Sequence, residues 1–308
     1  MIKIVYLGSP DFAVLPLRSM VQQGYEIAAV YSQTDRPRGK RGRDLLPTPV
    51  KAAALELGIP VHTPKSINDP EALAQLAAYQ PDLLVVVAYG QLLKEELLSI
   101  PALGAINIHG SLLPQYRGAA PIQRAIMDGC RQSGVTIMYL ARGMDSGDMI
   151  LSRAVDLDED ETYGTLHDKL QEAGTQLLLQ ALPLIEEGRA PRIAQDHDKA
   201  TFAPKISSGE ECLEWTLPAE KFHAMVCGLD PFPGAYVLRG GKRLKLFGCS
   251  LAEGSGQPGE VLECSEEGLC VACGSGAVLI REVQPEGKNR MSSAAFARGY
   301  QIKKGGNI

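Results

Sequence analysis

The stretch DLLVVVAY, residues 82–89, decides how this chain folds. Residues 83–88 are all apolar, so a strand formed here would bury both of its faces, as strands in the middle of a parallel sheet do. Further apolar runs alternate with helix-like segments on either side. The predicted strands are residues 2–7, 27–31, 59–62 and 104–109, and the predicted helices include 49–57, 71–79 and 119–127. This alternation predicts an α/β fold with a doubly wound, mostly parallel, Rossmann-like sheet and right-handed crossovers.

The second half of the chain follows a different pattern. Residues 162–187 have the apolar spacing of one long helix, and the polar segment after it contains Pro191 and Pro204 and has no period. From residue 206, five short strand-like runs with Gly-rich turns predict a small β-barrel of OB type. We therefore predict a catalytic domain at 1–189, a linker at 190–205 and a C-terminal domain at 206–308.

Composition places the chain among ordinary soluble globular proteins. It has 308 residues, 45% of them hydrophobic and 22% charged. No apolar run approaches the ~18 residues of a membrane span, and the N-terminal run ends at Gly8, which suits a buried strand better than a signal peptide. We therefore expect a cytoplasmic protein without membrane contact.

Cysteine usage argues against a metal site, and the first turn argues against a dinucleotide site. The seven cysteines are expected to be reduced, and Cys270-x-x-Cys273 lies in a strand-like run with no second pair, so no metal site is predicted. The turn Gly8-Ser9-Pro10-Asp11 lacks the G-x-G-x-x-G pattern, which disfavours a nicotinamide dinucleotide. The net charge of −5 argues against a protein that coats nucleic acid by bulk attraction.

Polar side chains converge at the end of one predicted strand. Asn107 and His109 are two residues apart, so they face the same side of a strand, and a Gly-bearing loop downstream carries Asp145. An amide and an imidazolium are both donors and can hold an oxyanion, while a carboxylate would orient the histidine in its donating form. No Ser or Cys has the pattern of a nucleophile, which favours direct acyl transfer between two bound substrates. A histidine that only caps the sheet edge is the alternative.

Four separated motifs resemble the 10-formyltetrahydrofolate transformylase family. They are Asn107-x-His109, SLLP at 111–114, RGAAPIQ at 117–123 and Asp145-x-Gly147-Asp148. Within the family, the chain is similar along almost its whole length to the enzymes that formylate methionyl-initiator tRNA, with GSPDF at 8–12, the run at 86–90, the basic loop at 35–43 and DPFP at 230–233. By this resemblance Asn107, His109 and Asp145 match the three catalytic residues, because the first Asp of the Asp-x-Gly motif is the family's carboxylate.

The resemblance also implies the substrates. The co-substrate would be 10-formyltetrahydrofolate, and the acceptor would be the α-amine of methionyl-initiator tRNA, formylated for translation initiation. Asn107 and His109 would stabilise the oxyanion, and Asp145 would orient His109 and manage protons. The residues that match the folate-contacting segment are Ser111, Leu112, Leu113 and Pro114, and those expected to line the pterin pocket are Tyr89, Gly90, Gln91 and Leu92.

Basic segments would hold the tRNA. The loop TDRPRGKRGR, residues 34–43, carries five basic residues against one acid and predicts phosphate contacts, although an ordinary solvated loop has the same composition. The loop matches the family's tRNA-binding insertion, Lys205 matches a basic linker position, and the second domain has a basic run from Arg239 to Lys245. The predicted tRNA contacts are Arg36, Arg38, Lys40, Arg41, Arg43, Lys205, Arg243 and Lys245. We expect a monomer because the partner is a large RNA.

Three other functions remain compatible with parts of the sequence. A transformylase could act on another acceptor, such as a purine nucleotide or an amino sugar-nucleotide, but the basic loop and the barrel would then lack a purpose. A deformylase would give the formyl group to water. A non-catalytic RNA-binding module would not need the Asn–His–Asp constellation.

Overall fold

The computed structural model of the chain describes residues 2–38 and 44–308. The chain forms two compact units, and each is built from more than one segment. The first consists of Met1–Gly118, Gly134–Val155 and Asp168–Phe202; the second consists of Ala119–Ser133, Asp156–His167 and Ala203–Ile308.

Strands and helices alternate through the first half of the chain, and strands dominate the second half. The strands are β1 (Lys3–Gly8), β2 (Glu26–Tyr31), β3 (Arg36–Arg38), β4 (Asp44–Leu46), β5 (Val61–His62), β6 (Leu83–Val87), β7 (Ala105–His109), β8 (Gln132–Tyr139), β9 (Met149–Asp156), β10 (Tyr236–Arg239), β11 (Lys242–Ala252), β12 (Val261–Cys264), β13 (Leu269–Ala272), β14 (Ala277–Pro285) and β15 (Met291–Ser292). The helices are α1 (Val14–Gln22), α2 (Pro49–Glu56), α3 (Pro70–Ala78), α4 (Glu95–Leu98), α5 (Pro121–Met127), α6 (Tyr163–Glu186), α7 (Ala219–Leu229) and α8 (Ser293–Gly299).

The first unit is built on a seven-stranded sheet with the order β5-β2-β1-β6-β7-β8-β9. The pairs from β5 to β7 are parallel, and β8 runs antiparallel to β7. Strand β6 is buried at all five positions, as its apolar sequence predicts. The predicted mostly parallel α/β class is confirmed.

The turns at the carboxyl ends of β1, β2 and β6 are tied together by hydrogen bonds. The Ser9 hydroxyl donates to the Tyr89 carbonyl (3.0 Å) and accepts from the Gln33 backbone N–H (3.2 Å), while the Gln33 amide also donates to the Tyr89 carbonyl (3.1 Å). At Gly8 a Cβ would lie 2.9 Å from the Ala13 Cβ, so this close approach requires glycine. This edge of the sheet is therefore a fixed platform.

The segment predicted as a linker packs in part within the first unit. Ile193 exchanges backbone hydrogen bonds of 3.0 and 2.8 Å with Met149, and the Arg117 N–H donates to the Thr201 carbonyl at 2.9 Å. These bonds explain why residues up to Phe202 group with the sheet rather than stand apart. The compact units are therefore not divided at residues 189 and 206. Whether the chain folds as independent domains with those boundaries stays a prediction.

The second unit contains a six-stranded antiparallel sheet. Its order is β10-β11-β14-β13-β12, and β15 pairs with β14. Helix α7 packs on this sheet, with the Phe222 ring stacked on Trp215 at a centroid distance of 4.4 Å. The sheet agrees with the predicted small barrel, whereas α8, which begins with Ser292 as its N-cap, is not predicted from the sequence.

The cysteines differ in burial: Cys227, Cys249 and Cys273 are buried, Cys264 is exposed and the other three are half-buried. All seven are free thiols, and burial raises the pKa of the thiols of Cys227 and Cys273 to about 12. Within residues 2–38 and 44–308, no group of three or more His, Cys, Asp and Glu side chains is arranged to hold a metal ion. No helix in these same ranges is long and apolar enough to span a membrane.

Candidate active site

Strand β7 places Asn107 and His109 at the carboxyl edge of the sheet. Because side chains alternate along a strand, both point to the same face, while Ile106 and Ile108 are buried on the other. His109 is only 5% exposed, and Asn107 is half-buried. The Asn107 side-chain amide has no hydrogen-bond partner among the residues that the structure describes. It is therefore free to bind a ligand.

The imidazole of His109 lies between two acceptors. Its Nε2 is 2.9 Å from the Tyr116 carbonyl oxygen, and its Nδ1 is 3.6 Å from Oδ2 of Asp145. The Nε2 therefore carries a proton in this arrangement, since a carbonyl oxygen can only accept. Asp145, rather than Asp148, is the carboxylate beside the histidine; Asp148 instead faces Arg192, with 3.8 Å between Oδ2 and Nη1.

Asp145 is held by backbone geometry as well as by hydrogen bonds. Its φ of +47° is in the left-handed region that non-glycine residues rarely adopt, so the loop stores strain that its surroundings must offset. The Gly118 N–H donates to Asp145 Oδ2 at 2.8 Å. At Gly147 a Cβ would lie 1.9 Å from the Tyr139 carbonyl oxygen, so only glycine fits where the loop passes the end of β8.

Strand β8 fixes the backbone of the loop that follows His109 through hydrogen bonds of the Thr136 side chain. Thr136, which is opposite His109 in the β7–β8 register, is fully buried. Its hydroxyl donates to the Ser111 carbonyl (2.7 Å) and accepts from the Leu113 N–H (3.2 Å). The Ser111 hydroxyl closes the loop by donating to the Gln115 carbonyl at 2.6 Å. The loop backbone is therefore fixed before any substrate binds.

Arg117 and Gln195 form a buried polar layer behind Asp145. The Arg117 guanidinium is almost wholly buried and donates from Nε and Nη2 to Gln195 Oε1, at 3.0 and 2.6 Å. Its Nη2 also lies 3.0 Å from His197 Nδ1. The Gln195 amide nitrogen in turn donates to the carbonyl oxygens of Asp145 (2.9 Å) and Gly147 (2.7 Å).

The residues predicted to contact folate differ in what they expose. The Tyr89 side chain lies in the core beside Tyr31, and burial raises the pKa of its phenol. The Gln91 side chain is used within the protein, where its Oε1 accepts from the Ile67 N–H at 2.8 Å. Leu92 is 81% exposed and Gly90 is also exposed. On the second loop, Ser111 and Leu113 are buried, whereas Leu112 and Pro114 are half-buried.

The predicted tRNA-binding loop is described only at its two ends. Strands β3 and β4 pair as an antiparallel ribbon, in which Arg36 is opposite Leu46 and Arg38 is opposite Asp44. Lys40, Arg41 and Arg43 lie outside the described residues. The loop's one acid within residues 34–43, Asp35, is bound by Lys51, whose Nζ lies 2.7 Å from Oδ2.

In the second unit, the predicted contacts Arg243 and Lys245 lie on one face of the β10–β11 pair. Lys245 is opposite Tyr236 and Arg243 is opposite Leu238, so the four side chains share that face. The Arg243 guanidinium lies over the Tyr236 ring at 4.8 Å, and Lys245 Nζ donates to the Pro233 carbonyl at 2.6 Å. Lys205 is exposed at the start of the second unit's last segment.

Sequence reasoning missed the residues that support this site. Thr136 gives one recognisable signal, because it is a polar residue inside the otherwise apolar run of β8. Gln195 and Thr201 lie in a segment without periodicity, and nothing in their spacing points to β7 or to the Asp145 loop. Thr201 nevertheless accepts the Tyr116 N–H on its hydroxyl at 2.8 Å.

Comparisons with known proteins agree on the family. Residues 2–182 match the formyl transferase family, and residues 205–301 match the formyl transferase C-terminal domain. The methionyl-tRNA formyltransferase of Moorella thermoacetica is 47% identical over 305 residues, which cover 98% of this chain and 98% of the relative.

Solved structures share the fold at lower identity. HypX from Aquifex aeolicus, in complex with tetrahydrofolic acid, has a TM-score of 0.69 and 20% identity, covering 98% of this chain and 48% of HypX. The N-formyltransferase from Helicobacter canadensis, in complex with folinic acid and dTDP-3-aminofucose, has a TM-score of 0.67 and 15% identity, covering 92% of this chain and 100% of its own. From its full-length relatives, the chain belongs to the formyl transferase family and, within it, to the methionyl-tRNA formyltransferases.

Proposed function

We propose that this enzyme transfers the formyl group of 10-formyltetrahydrofolate to the α-amine of methionyl-initiator tRNA, with Asn107, His109 and Asp145 as its catalytic residues. The observation that carries the proposal is the placement of His109 beside Asp145, at 3.6 Å, next to the free amide of Asn107 at the end of β7. In the net reaction, the amine nitrogen forms a bond to the formyl carbon, N10 of the folate leaves, and one proton passes from the amine to N10.

Asn107 supplies a donor for the charge that develops during transfer. When the amine attacks, the formyl oxygen gains negative charge, and a fixed N–H donor stabilises that charge more than it stabilises the neutral carbonyl. The Asn107 amide is half-buried and unpartnered in the described chain, so it gives up no protein hydrogen bond to do this. Such a donor lowers the barrier because it is already in position.

His109 acts as the second donor and as a proton carrier. Only an imidazolium has an N–H on both nitrogens, and that form would satisfy both the Tyr116 carbonyl and Asp145. The Nε2–H that donates to Tyr116 is the group that a formyl oxygen would share or take over. Tyr116 itself has a φ of +56°, a strained conformation that its surroundings must hold, and its N–H donates to the Thr201 hydroxyl at 2.8 Å.

Asp145 fixes the histidine and takes part in proton movement. Its Oδ2 accepts the Gly118 N–H at 2.8 Å, which fixes the carboxylate in front of Nδ1. A carboxylate in this place keeps the ring oriented and balances its positive charge. Because the amine must lose a proton as the leaving nitrogen gains one, a His–Asp pair with a water molecule can carry the proton between them.

The residues expected to contact folate fit an aromatic co-substrate through their backbone and apolar surface. Gly90 and Leu92 are exposed on one loop, while Leu112 and Pro114 are half-buried on the other. The Tyr89 side chain is packed in the core and the Gln91 side chain is bonded to the Ile67 N–H. These two residues would therefore contact the co-substrate through their main chain. Apolar walls with a few main-chain hydrogen-bond groups are typical of small-molecule sites.

The cationic segments support an RNA acceptor. The Asp35 carboxylate binds Lys51, and the sequence 34–43 carries five basic residues and no other acid. On the β10–β11 face, two basic side chains, Arg243 and Lys245, lie beside the ring of Tyr236, a combination suited to phosphate contacts and base stacking. A purine nucleotide or a sugar-nucleotide acceptor would need neither surface.

The fate of the formyl group tests the proposal. Incubation with 10-formyltetrahydrofolate and methionyl-initiator tRNA should yield formyl-methionyl-tRNA, and the tRNA should be required for consumption of the folate. Amino sugar-nucleotides and purine nucleotides serve as competing acceptors, since the fold is shared with an N-formyltransferase that binds an amino sugar-nucleotide. Formate release that does not depend on tRNA would replace the proposal with a hydrolase.

A further inference from the structure

Gln195 has a place in the site that its sequence context does not reveal. It lies in the polar segment before the second unit's last part, yet its side chain is buried, 5% exposed, within the first unit. A buried glutamine amide must find partners for one acceptor and two donors, or lose free energy. All of the partners that it finds are elements of the site.

The two ends of the Gln195 amide serve different partners. Its oxygen accepts two hydrogen bonds from the Arg117 guanidinium, at 3.0 and 2.6 Å. Its nitrogen donates to the carbonyl oxygens of Asp145 and Gly147, at 2.9 and 2.7 Å. The amide thus joins a buried cation to the backbone of the loop that carries the carboxylate.

The Asp145 loop needs such a support. Asp145 adopts a φ of +47°, and Gly147 passes so close to the Tyr139 carbonyl that no Cβ could be accommodated. A strained conformation persists only where the surroundings fix it. The two hydrogen bonds from Gln195 hold the peptide groups that follow Asp145 and Gly147 and so fix the direction in which the Asp145 side chain leaves the backbone.

We propose that Gln195 is a positioning residue that sets the placement of the Asp145 carboxylate against His109, and that Arg117 orients the Gln195 amide for this task. The inference rests on the proposed function, because it assigns Gln195 to the loop of a residue taken there as catalytic. The Arg117 guanidinium accounts for the direction of the amide: a cation can only donate, so it selects the Gln195 oxygen and turns the nitrogen toward the loop.

Substitution by glutamate separates the two ends of the amide. In Gln195→Glu the side chain keeps its length and offers Arg117 a carboxylate, but it has no donor for the two carbonyl oxygens. Gln195→Ala removes both ends. If Gln195 served only to satisfy the buried cation, Gln195→Glu would behave like the wild type; if it positions the Asp145 loop, both variants lose activity.

The expected result is a fall in kcat of about 10²-fold in both variants, because a displacement of about 1 Å in a catalytic group has effects of that size. The KM values for 10-formyltetrahydrofolate and for methionyl-tRNA should stay within about threefold, since neither substrate is held by Gln195. Ile193→Ala is the matched control: its side chain is exposed in the same segment, its backbone bonds to Met149 are kept, and its kcat should be unchanged.

Amide hydrogen exchange provides a second readout that does not depend on turnover. Residues 142–148 should exchange faster in Gln195→Ala and Gln195→Glu than in the wild type and in Ile193→Ala, while β1, β6 and β7 should keep their protection. A Gln195→Glu enzyme with normal kcat, or unchanged exchange in 142–148 in both variants, overturns the inference. A wild-type enzyme that fails to formylate methionyl-tRNA overturns the proposed function instead, and the exchange experiment still tests the support of the loop.

Discussion

The Asp145 loop of the first unit and the β10–β11 face of the second unit both present charged side chains, but they hold them differently. Asp145 is fixed by the Gly118 N–H, by Gln195 and by a glycine that no other residue could replace. On the β10–β11 face, Arg243 lies over one aromatic ring and is otherwise exposed. A single hydrogen bond restrains the Lys245 ammonium.

The difference indicates two kinds of work. Under the proposed function, the first region stabilises a charge that forms on one atom, which requires donors and acceptors that are already in place, so that each group would be critical. The second region would attract a chain of phosphates through many weak, screened contacts, which tolerate mobile side chains and share the effect among them. Variants should therefore cause large losses in one region and small ones in the other.

The largest effect is expected from His109 and Asp145, the pair proposed to be catalytic. His109→Ala or Asp145→Ala should each lower kcat/KM by about 10³-fold, since both remove a charged or donating group from the reacting centre. Asp148→Ala is the control, because that carboxylate faces Arg192 rather than His109, and its activity should stay within about threefold. Initial rates of formylation measure the effect. Near-normal transfer by either of the first two variants would remove the residue from the mechanism.

Gly147→Ala tests whether the rigidity of the loop itself matters. The added Cβ would lie 1.9 Å from the Tyr139 carbonyl oxygen, so the backbone must move and carry Asp145 with it. We expect kcat to fall by about 10²-fold in a protein that still folds. Gly299→Ala, where no atom lies within 4 Å of the added methyl, is the matched control; it should leave activity unchanged and should not lower thermal stability, because alanine favours a helix more than glycine does. Equal behaviour of the two variants would mean that the loop adapts without cost.

On the β10–β11 face the expected effect is smaller and depends on salt. The double variant Arg243→Gln/Lys245→Gln should raise KM for tRNA by about threefold to tenfold near 0.1 M salt and leave kcat unchanged. The slope of log KM against log salt should fall by up to about 2, which is roughly one phosphate contact for each charge. Arg18→Gln/Arg153→Gln removes the same charge from the first unit as a control. An unchanged slope in the first double variant would exclude this face from tRNA binding.

The smallest effect on formyl transfer is expected from a fixed ion pair that has no role in the proposed chemistry. In the second unit Arg124 binds Glu210 through two hydrogen bonds, of 2.7 and 3.1 Å, and Ser207 donates to the same carboxylate. The Arg124 guanidinium, followed by Ser207, lowers the pKa of the Glu210 carboxyl from 4.5 to about 2. We therefore expect the Arg124–Glu210 pair to contribute to the free energy of unfolding and not to the rate of formyl transfer.

The pH dependence of unfolding measures that contribution. Because the folded pKa lies below the unfolded value, the ionised Glu210 stabilises the fold above pH 4.5, and this stability is lost as the pH falls from 4.5 toward 2. Urea unfolding should show that Glu210→Gln lacks about 1–2 kcal/mol of this acid dependence, whereas Glu266→Gln, at an exposed pair with Arg298, retains it. Activity at neutral pH should be the same in both. Parallel acid curves for the wild type and Glu210→Gln would show that the pair contributes nothing.

The fold follows from the sequence where the signal is local. Strand β6 is predicted because its apolar run is too continuous for a half-exposed strand, and α2 is predicted from Pro49 and the Gly58 stop; its N-cap, Thr48, accepts the Lys51 N–H at 3.1 Å. Strand β9 is missed because Arg153 and its polar neighbours interrupt the apolar pattern at the edge of the sheet. The antiparallel direction of β8 also cannot be predicted from its own residues, because the apolar pattern of a strand does not depend on the direction of the neighbouring strand.

In the candidate site, too, some features follow from local sequence and others only from tertiary packing. The sequence by itself determined that Asn107 and His109 face one side of a strand, because a period of two is a property of the extended backbone. It also disfavoured a dinucleotide-binding turn after β1, because the glycines of that motif are missing. The tertiary structure alone decided that Asp145 lies beside His109, that the Gln195 amide bonds to the backbone of the Asp145 loop, and that the Thr201 hydroxyl accepts the Tyr116 N–H. These contacts join segments far apart in the chain, and they form only when strands and loops pack together, so no local spacing records them.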